Sequence, residues 1–334
     1  MNPRNPIATH MSILNGRILQ VGSMEKIAPV EKYELDDSFK DLIIMPGLVE
    51  GHSHLFEGTL WNKLYCGYFD RQKPDGSIQK GTKNVTELIS NLKHAEDKIE
   101  DSKTALSGWG LDPIYFSDKN LDRLILDKVS EKRPIGILHA SGHKLNVNSL
   151  GLKLAGFLRT GINHDGLPLG KDGIPTGEIR GAETIALVTK HVGLGKDWLS
   201  GDAEGLRNFG KICVRAGVTT ATDLANLQTD EAVEMMLKVT SEADFPARIV
   251  SFRYMQGINP KELIPKVLEL KKKSTENLRL GSIKIVADGS IQGFTARLKW
   301  PGYYNGAPNG MWYTAPEHIQ EAYELALENN ILVH

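Results

Sequence analysis

Short apolar runs alternate with amphipathic stretches along most of this chain, and that alternation constrains its fold more than any other feature. The strand-like runs are residues 41–54 (DLIIMPGLVEGHSH), 104–107, 134–140 (PIGILHA), 217–223 (GVTTATD), 247–254 (ARIVSFRY), 282–287 (SIKIVA) and 331–334. Helix-like segments separate most of them. Residues 86–101 place Leu88, Leu92, Ala95 and Ile99 on one face, 229–243 and 260–273 each precede a strand, and 316–329 opens with Pro316, which a first helical turn tolerates. Strands alternating with helices predict an α/β protein with parallel strands.

Two segments break the pattern. Residues 12–22 (SILNGRILQVG) are two apolar runs around Asn15-Gly16, the strongest short hairpin signal, and because a lone hairpin is marginal this small sheet is expected to need further strands. Residues 142–181 are rich in Gly, Asn and Asp with little periodicity, which reads as a long functional loop.

Charge and cysteine content narrow the function. Forty Lys plus Arg against 41 Asp plus Glu leave a net charge of -1, so electrostatics give no reason to expect nucleic acid or an anionic membrane as partner. A small-molecule ligand fits better, and a homo-oligomer is compatible with it. Cys66 and Cys213 stand alone, with neither a disulfide framework nor a CxxC knuckle, which suits the reducing cytoplasm. No apolar run is long enough for a membrane span, and the first thirty residues hold no apolar leader core.

The chemistry-bearing residues gather at the ends of predicted strands. In His52-Ser53-His54, strand alternation sends both imidazoles to one side and Ser53 to the other, so the pair reads either as two ligands for one metal ion or as two exposed loop histidines. Lys284 interrupts an apolar strand and shares a face with Val286 and Asp288. A buried ammonium is costly: it either pairs with Asp288 or another carboxylate, or it loses its proton and takes up carbon dioxide as a carbamate, an anionic metal ligand. His334 ends its apolar run as His52 ends the first. His139 and His143 flank a Gly turn, where hydrogen bonding or ligand contact fits better than metal binding. Trp109, between two glycines and followed by Asp112-Pro113, is either a pocket wall or a packed core residue.

In this order PGLVEGHSH, SGWGLDP, SGHKLNVNS, DGIPTGEIR, GVTTATD, IKIVADGS and TARL resemble the amidohydrolase-3 branch of the amidohydrolase superfamily, which includes N-substituted formamide deformylases and related metal-dependent hydrolases. The resemblance runs from about residue 15 to residue 334. It implies a distorted (β/α)8 barrel with a small β-sandwich, and a metal site at the carboxyl ends of the strands. Residues 1–45 would then belong to the sandwich, 46–64 to barrel strand one, 65–200 to an insertion, and 201–334 to strands two to five. Further implied are metal ligation by His52, His54, Lys284 as a carbamylated lysine, and His334, with one or two divalent ions, zinc being expected from the imidazoles. Trp109, Asp112, His143 and Asn148 would face the barrel mouth as substrate contacts, joined by Asp288 at the end of strand four. One departure is Gly181, four positions after Gly177, where many relatives carry Glu.

The function so implied is hydrolysis of an amide-type carbon–nitrogen bond in a small molecule by metal-activated water. The alternatives are hydrolysis of another carbon–heteroatom bond, or a non-catalytic metal- or ligand-binding protein. The family's proton-shuttling aspartate belongs to strand eight, and the chain is expected to stop after strand five, since a barrel needs ~250 residues and roughly 155 remain once the sheet and insertion are subtracted.

Overall fold

Asn15 and Gly16 both take positive φ, 51° and 73°, the conformation a two-residue hairpin turn requires. They join β1 (His10–Leu14) to β2 (Arg17–Gly22) as an antiparallel pair. Among the described residues this sheet keeps two strands, so the further strands expected for it are not found there. The computed structural model describes residues 6–27, 32–101, 103–116, 121–195, 198–255, 257–291 and 294–334. It divides into two units, Met1–Leu48, which holds this hairpin, and Val49–His334.

The strand β3 (Leu48–Glu50) is three exposed residues, shorter than the buried strand expected over 41–54. It lies at the edge of its sheet with a single neighbour, so backbone groups on its far side have no ladder to join.

After β3 comes a second, mixed sheet built from β4 (Leu64–Tyr65), β7 (Leu106–Leu111), β8 (Ile135–His139), β9 (Lys144–Val147) and β10 (Glu178–Arg180), with a small hairpin of β5 (Arg71–Gln72) and β6 (Ile78–Gln79) beside it in sequence. The order is β10-β9-β8-β7-β4; β4, β7 and β8 run parallel, while β9 and β10 are antiparallel additions. The Val85–Glu96 helix starts where Asn84 accepts the Glu87 N–H, and it buries Leu88 and Leu92 with Leu106, Leu126, Ile135 and Ile137. The strand expected over 104–107 extends to Leu111, which takes Trp109 into the sheet.

Within the segment read as a loop over 142–181, residues 155–177 carry no helix or named strand, as expected, while 144–154 hold β9 and a short helix anchored by Asn148. Its side chain accepts the Ile135 and Gly151 N–H groups at 3.0 and 2.9 Å and donates to the Ser130 and Arg133 carbonyls at 2.9 and 2.8 Å. One amide thus caps the Ser149–Leu154 helix and fixes the start of β8.

The principal sheet holds β11 (Val218–Asn226), β12 (Arg248–Tyr254) and β13 (Leu278–Lys284) in the order β13-β12-β11-β3, which is chain order. β11, β12 and β13 are parallel neighbours. Val333 adds a parallel bridge beyond β13, where Ile285 donates to the His334 carbonyl and His334 to that of Ile283. The segment 331–334 therefore joins the sheet, though as one bridge and not a full strand. Helices connect the strands as the pattern predicted. Ala203–Ala216 begins at Asp202, whose carboxylate accepts the Gly205 N–H at 2.7 Å, and ends at left-handed Gly217. Leu206, Phe209, Val233, Met236, Val239, Ile249, Leu270 and Leu278 pack the Ala203–Ala216, Asp230–Thr240 and Pro260–Lys272 helices on the strands. One expectation shifts: the strand predicted at 282–287 runs from Leu278 to Lys284, so Lys284 is its last residue. Among the described residues no helix is long and apolar enough to cross a membrane.

Replacing Asn148 with Ala orphans two buried N–H groups and two carbonyls, each worth ~1–3 kcal/mol when left unpaired. Urea unfolding of Asn148→Ala should show a loss of about 3–5 kcal/mol; a loss under ~1 kcal/mol would mean that water replaces the amide.

Candidate functional site

The His52–His54 turn is tied to β11 by three hydrogen bonds. Ser53 Oγ donates to the Thr222 carbonyl at 2.5 Å, Leu224 N–H donates to the Ser53 carbonyl at 2.9 Å, and Leu55 N–H donates to Asp223 Oδ1 at 3.0 Å. Ser53 is buried against the strand, and the turn lies past the last residue of β3, outside the strand assumed for it from the sequence. The His54 ring stacks on Phe56 at 5.1 Å, and Phe56 packs edge-on against Trp198.

His52 stands 5.5 Å from His54 and 5.2 Å from His334, centroid to centroid. Lys284 Nζ lies 2.9 Å from His334 Nδ1. Four side chains spread over residues 52–334 thus meet beyond the strand ends. Burial holds the Lys284 ammonium below the usual lysine range, and no carboxylate opposes that effect. The Lys284–Asp288 pair weighed from the sequence is not formed: Asp288 Oδ2 accepts the Arg297 N–H at 2.7 Å. Burial, then the nearby charges of His52, Lys284 and His143, push His54 down to about 4 against the raising effect of a hydrogen bond to the Leu224 backbone, which leaves its imidazole neutral. His54 Nδ1 is buried without a partner.

These residues suit a metal ion by donor chemistry, and their pairwise ring spacing is compatible with one. Imidazoles around a tetrahedral ion with ~2.1 Å bonds have centroids about 5 Å apart. The rings are edge-on, however, at 73° and 79°, and among the described residues no three His, Cys, Asp or Glu side chains converge on one point.

The inserted sheet supplies a second wall. His143, in the β8–β9 turn, lies 5.8 Å from Tyr313, ring to ring, and its Nδ1 is buried without a partner. Burial and Lys284 lower its pKa against the opposing pull of Asp288. The other inserted residues behave differently. Trp109 is only 4% exposed and packs with Trp61 and Tyr65 in the core, so the packed reading holds. Asp112 is also buried, and its carboxylate caps the Pro113–Tyr115 turn by accepting the Ile114 N–H. Asn148 is fully buried with its amide committed to backbone, so it does not face the site as expected. His139 is buried on Asn146, the hydrogen-bonded role foreseen for it.

Asp223 is the residue that sequence reasoning missed. It is fully buried and accepts from Leu55, Asn226 Nδ2 and Ser251 Oγ. Its signal was an acidic residue ending the apolar strand of GVTTATD.

Parallel α/β sheets place their ligand sites beyond the carboxyl ends of the strands, and this cluster occupies that place. The fold and site thus define an α/β protein with a strand-end site. The chain belongs to the amidohydrolase family, whose sequence profile matches residues 40–331. It is 27% identical to Protein LONG AFTER FAR-RED 3 of Arabidopsis thaliana over 338 residues, covering 94% of this chain and 53% of that protein. It is 26% identical over 314 residues to the Bacillus subtilis (strain 168) protein named "Putative amidohydrolase YtcJ", covering 89% and 54%. The chain therefore spans about half the length of the curated relatives it matches. A crystal structure of an uncharacterized metal-dependent hydrolase from Pyrococcus horikoshii shares the fold with a TM-score of 0.59 at 17% identity, covering 97% of this chain and 60% of that one.

Burial raises the Asp223 carboxyl to about 6, against the lowering effect of its three hydrogen bonds. A native pKa above the unfolded value of ~3.9 means that the folded state holds this proton more tightly. The resulting stabilisation is present below about pH 4 and lost as pH rises through about 6. Urea unfolding should therefore show the parent protein losing ~3 kcal/mol relative to Asp223→Asn between about pH 4 and about pH 7. Parallel profiles would show that Asp223 does not titrate in that window.

Proposed function

We propose that this chain carries the metal-binding part of a hydrolase that cleaves an amide-type carbon–nitrogen bond in a small molecule, on a sheet of the (β/α)8 kind. One observation carries the reading: His52, His54, Lys284 and His334, from three separate segments, meet beyond the ends of strands that lie side by side in chain order.

In this reading His52, His54 and His334 would hold a divalent ion through neutral imidazoles, with zinc the ion that such ligands favour. Lys284, desolvated and without a carboxylate partner, attacks carbon dioxide through its neutral amine and releases a proton to solvent, becoming an anionic carbamate ligand. Such an ion lowers the pKa of bound water toward ~7 and polarises a carbonyl oxygen. The chain's own contribution is positional. Asp223 and Ser53 hold the histidine turn, Phe56 sets the plane of His54, and His143 and Tyr313 close one side against solvent. Asp288 lends one oxygen to Arg297 N–H and stands beside the site as a substrate contact; the proton shuttle is assigned to no residue of this chain.

Elemental analysis after dialysis should find divalent metal bound to the protein, and the His52→Ala, His54→Ala double variant should lose it. Intact-mass measurement under native conditions should show one added carbon dioxide that disappears in Lys284→Ala. Purified protein should release amine from a panel of N-formyl and N-acyl amines. Stoichiometric metal in the double variant would overturn the ligand assignment, and release from the matching esters alone would overturn the bond assignment.

A further inference from the structure

Next to the histidine and lysine cluster lies a group of residues that metal binding does not use. Arg180 ends β10, and Gly181 follows it with φ +82° and donates its N–H to the His143 carbonyl at 3.0 Å. A Cβ at position 181 would stand 3.3 to 3.5 Å from the Tyr313 ring and hydroxyl, a close approach that glycine permits. Arg180, His143 and Tyr313 are therefore immediate neighbours on the wall that the inserted sheet contributes.

Their hydrogen-bonding capacity is not used up. Arg180 donates Nε–H to Glu178 Oε1 at 2.5 Å, and its two terminal nitrogens have no partner among the described residues, although the side chain is only 29% exposed. Glu178 is shared, because Lys144 Nζ sits 3.2 Å from the same oxygen, so two cations face one carboxylate and a net positive charge remains. The Tyr313 hydroxyl is buried with the Thr295 hydroxyl beside it, and a bond accepted from Thr295 leaves its own O–H free to donate. His143 Nδ1 beside it is buried and unpartnered too.

We propose that the Arg180 guanidinium and the Tyr313 hydroxyl recognise a carboxylate on the substrate, with the scissile amide directed toward His52, His54, Lys284 and His334. The inference rests on the hydrolase reading above and names the substrate class: an amide that carries a carboxylate away from the reacting bond. A free guanidinium edge matches the two oxygens of a carboxylate in one plane, and the phenol supplies one more donor. A phosphate dianion suits the place less well, because Asp288 and Glu183 stand near Tyr313 and Tyr254 and repel a second negative charge. His143 lies 5.8 Å from Tyr313, ring to ring, and close enough to His54 for its charge to be felt there.

Titration calorimetry on the full chain, stripped of metal by chelation so that no carboxylate can bind an ion, tests this with glutarate as probe, glutaramide as its neutral counterpart and inorganic phosphate as the dianion. Glutarate should bind at least tenfold more tightly than glutaramide or phosphate. Arg180→Met and Tyr313→Phe should each weaken it about tenfold or more, with Arg180→Lys, which keeps the charge and loses the fork, in between. Should Arg180→Met not fold, as judged by its thermal transition, Arg180→Lys and Tyr313→Phe decide the matter. No glutarate binding by the parent protein, equal binding by the variants, or tighter binding of phosphate would overturn the proposal. Metal content is measured separately on the same preparations before stripping, so failure of the metal reading shows as absent metal while the glutarate result stands by itself.

Discussion

The hydrogen bond from Leu55 N–H to the buried Asp223 carboxylate, with the two bonds between Ser53 and β11, fixes where the first histidines can be. A carboxylate at zero exposure is expensive to hold, and this one is offset by three donors from three segments: the histidine turn, the end of β11 through Asn226, and β12 through Ser251. The same residue therefore locks the turn to the sheet and two strands to each other. Parallel register does the rest. Tyr254 pairs with Lys284, and the backbone beyond Lys284 is bonded to His334, so the ends of successive strands come level on one edge.

That edge concentrates basic groups. Burial lowers the proton affinity of His52, His54, His334 and Lys284 alike, and the charges of Lys284 and His52 add to it at the neighbouring histidines. Against these effects Glu50 pulls on His52 and the Leu224 backbone on His54, and the balance favours the unprotonated form, whose lone pairs can bind a cation. Structural clusters of basic side chains ordinarily recruit acidic partners. Here the nearest carboxylate candidate from the sequence, Asp288, is engaged by Arg297 N–H instead.

The sequence revealed much of this, with losses that have physical causes. Local chemistry was legible: the Asn15-Gly16 turn, the helix opening at Pro316 and the strand over residues 247–254 appear within a residue or two of their expected places. Strand ends were harder, since IKIVA is apolar on both sides of Lys284 and only pairing with β12 shows that the ladder stops there. Residues 144–154 looked irregular because their placement depends on one buried amide, Asn148, which bonds to backbone 13 to 18 positions away. Periodicity carries no trace of such a contact. The three inserted residues assigned to the pocket and found buried, Trp109, Asp112 and Asn148, share that origin, because a motif places a residue near a site without saying which way its side chain turns.

The two sheets divide the labour of the site, and one apolar core keeps them in step. Trp109, Leu138 and Leu145 of the inserted sheet pack in the same cluster as Ala225 and Tyr254 of the principal sheet, with Phe56 beneath His54. Closely packed interiors transmit small displacements, so His143 and Arg180 are held at a set distance from the histidine turn although no hydrogen bond links them to it. The groups proposed to bind a cation are held by the strand ends and by Asp223, which tolerate little change. The recognition groups sit at the edge strand β10 and the β8–β9 turn, where backbone and side chains can vary without disturbing the parallel ladder. Changes at Gly181 would therefore alter which molecules enter before they alter what the metal-binding groups can do, since a side chain there meets Tyr313 and not the histidines.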